Sequence, residues 1–208
     1  MSNETFSART AAVTFHGRNT HPGYAKGIMV NSLYALSYFV SLFPQDMKPE
    51  TTEGRQGYLH PYDITGNEAQ SRLKVLVRDF DVSGLVDKTN ILESMKRQTL
   101  AEFPEVKIDL DVTDTYSNMN SILNKHPEIV RLAEMAMKEA GVTPVKQPVR
   151  GGTDGSHLTF MGLPTPNIFA GEENAHSKLE WIPAGSVVKS VLTIVKISKL
   201  AAEEGALK

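Results

Sequence analysis

The sequence predicts a mixed α+β and α/β chain in two parts: a ferredoxin-like βαββαβ domain over residues 1–118, then an α/β segment over residues 119–208. Three observations predict it. Strand-like runs in the first half alternate apolar and polar residues, and two stretches between them carry apolar residues at helical steps. Their order is β-α-β-β-α-β, the split arrangement that makes a small antiparallel sheet backed by two helices. Past Tyr116-Ser117-Asn118-Met119-Asn120 the pattern changes to helices alternating with short apolar runs, which suggests an α/β layer.

Residues 8–15 are rich in β-branched and aromatic side chains and read as the first strand. A dense cluster of turn formers follows, from His16 through Gly23. Over residues 26–43, Ile28, Val30, Leu33, Leu36, Phe39, Val40 and Phe43 recur at three- and four-residue steps, a helical face stopped by Pro44 and Pro49. Strands are predicted around residues 57–65 and 72–80, the second with Leu73, Val75 and Val77 on one face. Asp87 or Thr89 is the expected cap of a helix carrying Ile91, Leu92, Met95 and Leu100. Residues 106–112 alternate again and complete the first part.

In the second part, residues 127–140 form a strong helical pattern closed by Gly141. Short strands are expected near residues 145–149 and 167–170, with a helix over about residues 156–161 between them. A last helix is expected over residues 184–204, with Val187, Val188, Val191, Leu192, Val195, Ile197 and Leu200 facing inward. Two strands and three helices are few for a closed α/β domain.

Composition narrows the function. The 208 residues carry 22 Lys and Arg against 24 Asp and Glu, a net charge of −2 that leaves no broad basic footprint for nucleic acid. Hydrophobic residues make up 40% and charged residues 22%, the balance of a folded chain and not of a disordered one. No apolar run approaches the roughly 18–20 residues that cross a bilayer. Cysteine is absent, which removes disulfides, thiolate zinc sites and a cysteine nucleophile, and fits a reducing compartment. The first residues lack the basic-then-apolar layout of a signal peptide, so a cytoplasmic location is the expectation.

Three stretches carry candidate chemistry. In Asn19-Thr20-His21-Pro22-Gly23 the proline stiffens the turn and pushes His21 into an extended conformation, which suits a projected ligand-facing side chain or an ordinary surface turn. In Arg150-Gly151-Gly152-Thr153-Asp154-Gly155 paired glycines let backbone N–H groups approach a ligand, and Arg150 can grip a carboxylate with two parallel hydrogen bonds. The alternative there is a βα turn with Asp154 as helix cap. The third is the polar loop Gly171-Glu172-Glu173-Asn174-Ala175-His176-Ser177-Lys178-Leu179-Glu180, where His176 is a candidate metal ligand. One imidazole does not make a metal site, since catalytic zinc takes about three protein ligands.

Together these stretches are far more specific than any one of them. His21-Pro22-Gly23 followed by Lys26-Gly27-Ile28-Met29-Val30-Asn31, then Arg78-Asp79-Phe80-Asp81, the Arg150 to Gly155 segment, and His176 four positions before Glu180 resemble the co-catalytic zinc exopeptidases. Within them the likeness is to the tripeptide aminopeptidase branch called peptidase T, over residues 6–202, and to the C-terminal half of such an enzyme. The resemblance implies that the first part is the inserted lid, or dimerisation domain, and the second the end of the metal-binding catalytic domain. It implies that His21 reaches the substrate carbonyl and stabilises its oxyanion, and that Arg78 grips the substrate carboxylate. Arg150, Gly151, Gly152, Thr153 and Asp154 would line the substrate site, and His176 would be the last ligand of a two-zinc centre.

The departures from the family pattern matter as much. The His-x-Asp motif, the bridging Asp, the Glu pair with the general base and a further Asp all precede the lid in the family, and none of them falls in this sequence. Glu172-Glu173 comes after the lid and is not assigned that role, and the usual His-Gly-Lys-His-Glu reads His176-Ser177-Lys178-Leu179-Glu180. The expectation is therefore a peptidase T-like enzyme acting on short peptides, inactive until a separate N-terminal half chain supplies the missing carboxylates. The alternative is a non-catalytic dimerisation module or inactive remnant, pairing as a homodimer through the lid.

Overall fold

The computed structural model describes residues 1–205. The chain divides into two compact units, one of Phe6–Ser117 and one of Met1–Thr5 together with the chain from Asn118 onward.

The first unit is a four-stranded antiparallel sheet with two helices on one face. Its strands are β1 (Ser7–His16), β2 (Tyr58–Gly66), β3 (Gln70–Asp79) and β4 (Lys107–Tyr116), in the order β2-β3-β1-β4. Helix α1 (Ser32–Ser41) and helix α2 (Val82–Glu102) complete the βαββαβ order. Alternation sets the register: Ala11 pairs with Val75 and Val112, and Val13 with Leu73 and Leu110, so one face is apolar across three strands. That face, with Phe15, Leu59, Val77 and Ile108, packs against Ala35, Leu36 and Phe39 of α1 and Leu85, Leu92 and Met95 of α2. The opposite face carries Arg72, Lys74, Asp109 and Asp111 beside the small residues Thr10, Ala12 and Thr14 of β1.

Two helix starts differ from the sequence expectation. The helix expected from residue 26 begins at Ser32: Asn31 accepts the Leu33 N–H on its side chain at 2.9 Å, and Gly27 at φ 72° turns the chain before it. The helix expected to be capped by Asp87 or Thr89 begins earlier, with Asp81 in the N-cap position and Leu85 already in the core. Ser83 and Gly84 weaken the helical pattern there, and burial of Leu85 overrides them.

The second unit holds helices α3 (Asn120–Leu123), α4 (Pro127–Glu139), α5 (Asp154–Phe160) and α6 (Ala184–Glu204). Helix α4 packs Leu132 and Ala136 against Leu200 of α6, with Met135, Ile197 and Ala201 alongside. The strands expected near residues 145–149 and 167–170 are reduced to single bridges, Val149 with Thr5 and Asn167 with Ser2. A strand needs a ladder, and residues 1–5 offer each segment only one paired position. The inward role expected of Val187, Val188, Val191, Leu192 and Val195 is also corrected: all five are exposed, while the apolar contact of α6 with α4 is made by Ile197, Leu200 and Ala201.

Candidate functional site

The loop carrying His21 is pinched at its base. Arg18 N–H donates to the Val30 carbonyl and Val30 N–H to the Arg18 carbonyl, both at 2.8 Å. Arg18 Nε adds a bond to the Ile28 carbonyl at 2.7 Å, and Nη2 reaches Glu105 at 3.2 Å. Gly17 sits in this base so tightly that a Cβ would lie 2.3 Å from the carbonyl oxygens of Glu68 and Val30. At the tip, His21 has φ −59° and ψ 125°, the extended conformation expected before proline, and Pro22–Tyr24 forms a 3-10 turn. The Gly23 N–H donates to His21 Nδ1 at 3.1 Å. The Tyr24 ring, 76% exposed, lies 5.2 Å from the imidazole.

Arg78 belongs to β3 and is only 8% exposed. Its Nη1 donates to the carbonyls of Arg9 at 2.9 Å and Val77 at 3.0 Å, and its guanidinium carbon lies 5.4 Å from the Tyr116 ring centre. Burial pushes the Tyr116 phenol above its ordinary 10.0, against the opposing pull of the Arg78 charge. The arginine is held by backbone on one nitrogen and by an aromatic face.

In the second unit, Arg150 is half-buried and follows the Val149–Thr5 bridge. Gly151 has open space where a side chain would project, and Gly152 is exposed. Thr153, not Asp154, caps α5: its hydroxyl accepts the Ser156 N–H at 3.2 Å, and Ser156 Oγ donates to the Thr153 carbonyl at 2.7 Å. Asp154 is the first helical residue and faces solvent. A hollow of about 350 Å³ lies between the segment leading to Arg150 and the one leading to the His176 loop, lined by Ser2, Pro148, Val149, Asn167, Phe169 and Glu172.

The His176 loop closes on itself. Glu173 and Trp181 exchange backbone bonds of 2.9 and 3.2 Å, and the His176 N–H donates to Glu180 Oε2 at 2.6 Å. His176 at φ 65° and Asn174 at φ 55° are both left-handed, a conformation that is disfavoured by about 1–2 kcal/mol for an ordinary side chain. The imidazole is exposed. Among the described residues, no group of three or more His, Asp or Glu stands close enough to hold a metal ion.

Residues 3–107 match the family described as the peptidase dimerisation domain. The chain belongs to this family. It is 41% identical to peptidase T of Clostridium perfringens over 201 residues, which is 97% of this chain and 50% of that protein. Among solved structures, a tripeptidase from Staphylococcus aureus superimposes with a TM-score of 0.79 at 17% identity, covering 97% of this chain and 53% of that one. A dinuclear metal-binding peptidase of the M20 family from Bacillus subtilis gives a TM-score of 0.62 at 10% identity, over 96% and 51% of the two chains. At such identities these two likenesses establish the fold. The chain spans about half the length of the curated relatives it matches.

The dimerisation-domain match takes in β1 through β3, both helices of the first unit and the first residue of β4, and with them His21 and Arg78. Arg150, Gly151, Gly152, Thr153, Asp154 and His176 follow the matched span. Sequence reasoning misses Gly23 and Tyr24 as direct neighbours of the His21 ring, although a glycine two residues after a histidine is within reach of a side-chain cap. It also misses the pairing of Asp79 with Lys88, nine positions apart and crossing from strand to helix, for which no local pattern exists.

Proposed function

We propose that this chain is the dimerisation-domain half of a peptidase T-like metallo-aminopeptidase that releases the N-terminal residue of short peptides, tripeptides foremost. The observation that carries the reading is 41% identity to peptidase T across 97% of the chain. Under it, His21 at the tip of its stiffened loop hydrogen-bonds the carbonyl oxygen of the scissile bond as negative charge develops there. Arg78, held by two backbone carbonyls and Tyr116, is the residue of the first unit that grips the peptide carboxylate, and Arg150 is the cation of the second unit's substrate segment. Gly151 leaves room for the peptide backbone beside it.

Zinc is the metal of this reading, yet the donor set of this chain does not fit a zinc site by itself. A catalytic zinc takes about three protein ligands, and the described residues bring no three candidate ligands together. His176 would supply one ligand to a site whose carboxylates the family carries ahead of the lid, in the N-terminal half. The exposed apolar residues of α6, Val187, Val188, Val191, Leu192 and Val195, support packing against that N-terminal half, because contiguous apolar surface marks an association site. The dimerisation domain further supports a homodimer through the first unit. A cytoplasmic location fits a chain without cysteine, and no helix of the described residues is long and apolar enough to cross a membrane.

The test is reconstitution. The chain is mixed with zinc and a polypeptide carrying the His-x-Asp and Glu-Glu half of a relative, and Ala-Ala-Ala cleavage is followed by release of the N-terminal residue. Cleavage by the mixture and by neither part alone is expected. A mixture that forms a stable complex without hydrolysing the tripeptide would overturn the reading, as would turnover by this chain alone.

A further inference from the structure

We propose that Gly23 is a positioning residue: its main-chain N–H holds His21 in a single tautomer with the proton on Nε2, so that the loop presents a one-way hydrogen-bond donor to an acceptor oxygen. The tautomer follows from the geometry of the loop alone. Only the identity of the acceptor, the scissile carbonyl oxygen, rests on the peptidase reading above.

A backbone N–H can only donate, so the ring nitrogen it meets must offer a lone pair. The Gly23 N–H meets Nδ1 at 3.1 Å, and a neutral imidazole with a free lone pair on Nδ1 carries its hydrogen on Nε2. Four features keep the ring in that pose. Pro22 restricts both its own φ and the conformation of His21. The Tyr24 N–H donates to the His21 carbonyl at 2.9 Å, which ties the residues on either side of the contact. The Tyr24 ring stands 5.2 Å from the imidazole at a tilt of 43° and limits its rotation. A Cβ on residue 23 would lie 3.2 Å from both Nδ1 and Cε1, so the imidazole rests directly on the glycine.

The consequence is chemical. A histidine free to exchange tautomers spends part of its time with a lone pair on Nε2, which repels a developing oxyanion. Holding the proton on Nε2 removes that state before substrate arrives, the kind of preorganisation that makes an oxyanion donor effective. His126 offers an internal contrast, since its Nδ1 lies 3.4 Å from the Glu128 carboxylate, an acceptor that favours a proton on Nδ1.

Long-range proton–nitrogen correlation spectra of the full chain, at a pH where the imidazoles are neutral, read the tautomer directly. His21 is expected to show an unprotonated Nδ1 and a protonated Nε2. Gly23→Pro, which lacks the N–H, is expected to shift His21 toward the averaged pattern of a free imidazole. An averaged or Nδ1-protonated His21 in the unmodified chain would overturn the proposal, as would a folded Gly23→Pro variant with an unchanged His21 pattern. In the reconstituted enzyme, His21→Gln places an amide donor near the former Nε2, and His21→Asn places one near the former Nδ1. The Asn variant is expected to lose about a hundredfold in kcat, the usual consequence of losing one oxyanion donor, and the Gln variant to recover most of it. Equal losses would remove the Nε2 donor from the chemistry. A wild-type mixture without hydrolysis would count against the peptidase reading, while the spectra would still decide the tautomer.

Discussion

Lys88 Nζ donates to Asp79 Oδ2 at 2.6 Å with the two side chains only 10% and 12% exposed. The same carboxylate accepts the Asp81 N–H at 3.0 Å, and a Cβ on Gly84 would fall 2.2 Å from it. One buried ion pair thus fastens the end of β3, next to Arg78, to the first two turns of α2. Removing one partner leaves an uncompensated charge in a dry setting. Asp79→Asn or Lys88→Met is expected to lower the unfolding free energy by about 3–5 kcal/mol, and the Asn/Met double replacement by less than the sum. Denaturant titration of the four proteins checks this, and additive losses would refute the coupling.

Gly17→Ala tests the base of the His21 loop. The added methyl group would press on the carbonyls of Glu68 and Val30, one of which accepts the bond that pinches the loop. A destabilisation of roughly 1–3 kcal/mol is expected, together with faster amide exchange at Arg18 and Val30. Unchanged exchange at those two amides would show that the loop does not depend on this pinch.

Acid stability should depend on Asp109. Hydrogen bonds from His16, at 2.8 Å, and then Lys107 hold its carboxyl below the ordinary 3.8. A folded-state value below the unfolded one contributes stability that is fully present above pH 3.8 and is lost as pH falls through the lower folded value. The pair is exposed, so the effect is small. Asp109→Asn is expected to flatten the acid limb of the stability curve, measured by melting temperature against pH, and an identical limb would contradict the assignment.

Tyr116 gives the alkaline counterpart. Burial raises its phenol above 10.0, so the neutral form is favoured in the folded state. The sign is opposite to that of Asp109: this contribution is present below the unfolded value and is lost as pH rises through the folded one. Ultraviolet titration should show a tyrosine ionisation step above pH 10.0 that vanishes in Tyr116→Phe.

The outward face of α6 makes a separate prediction. Val191→Lys alters an exposed position, so the stability of the isolated chain should change by less than about 0.5 kcal/mol. Association with the complementing half should weaken measurably in sedimentation. Normal assembly of this variant would show that the partner docks elsewhere.

Much of the fold is legible in the chain because it depends on short-range periodicity. The alternation of Leu73, Val75 and Val77 marks β3, and the apolar steps through Leu200 mark the whole span of α6. The inner face of α6 is not legible in the same way. Five of its valines and leucines satisfy an inward helical pattern and are nonetheless exposed, because periodicity reports what a face can bury and not whether a neighbour is there to cover it. Arg78 shows the same division for the site. Its residue type and motif suggest carboxylate recognition, whereas its commitment to the carbonyls of Arg9 and Val77 depends on the β1–β3 pairing, a contact that spans 69 positions.

By itself the sequence determined the βαββαβ order of the first unit, the turn chemistry around His21-Pro22-Gly23 and the candidate residues of the site. Tertiary structure decided that α1 waits until Ser32, that residues 2 and 5 pair with Asn167 and Val149, that Thr153 caps α5, and that Asp79 meets Lys88. The division has one physical cause. Helix and strand patterns repeat within a few residues and are written locally, while the partner of a hydrogen bond or a buried charge is chosen only when distant segments have packed.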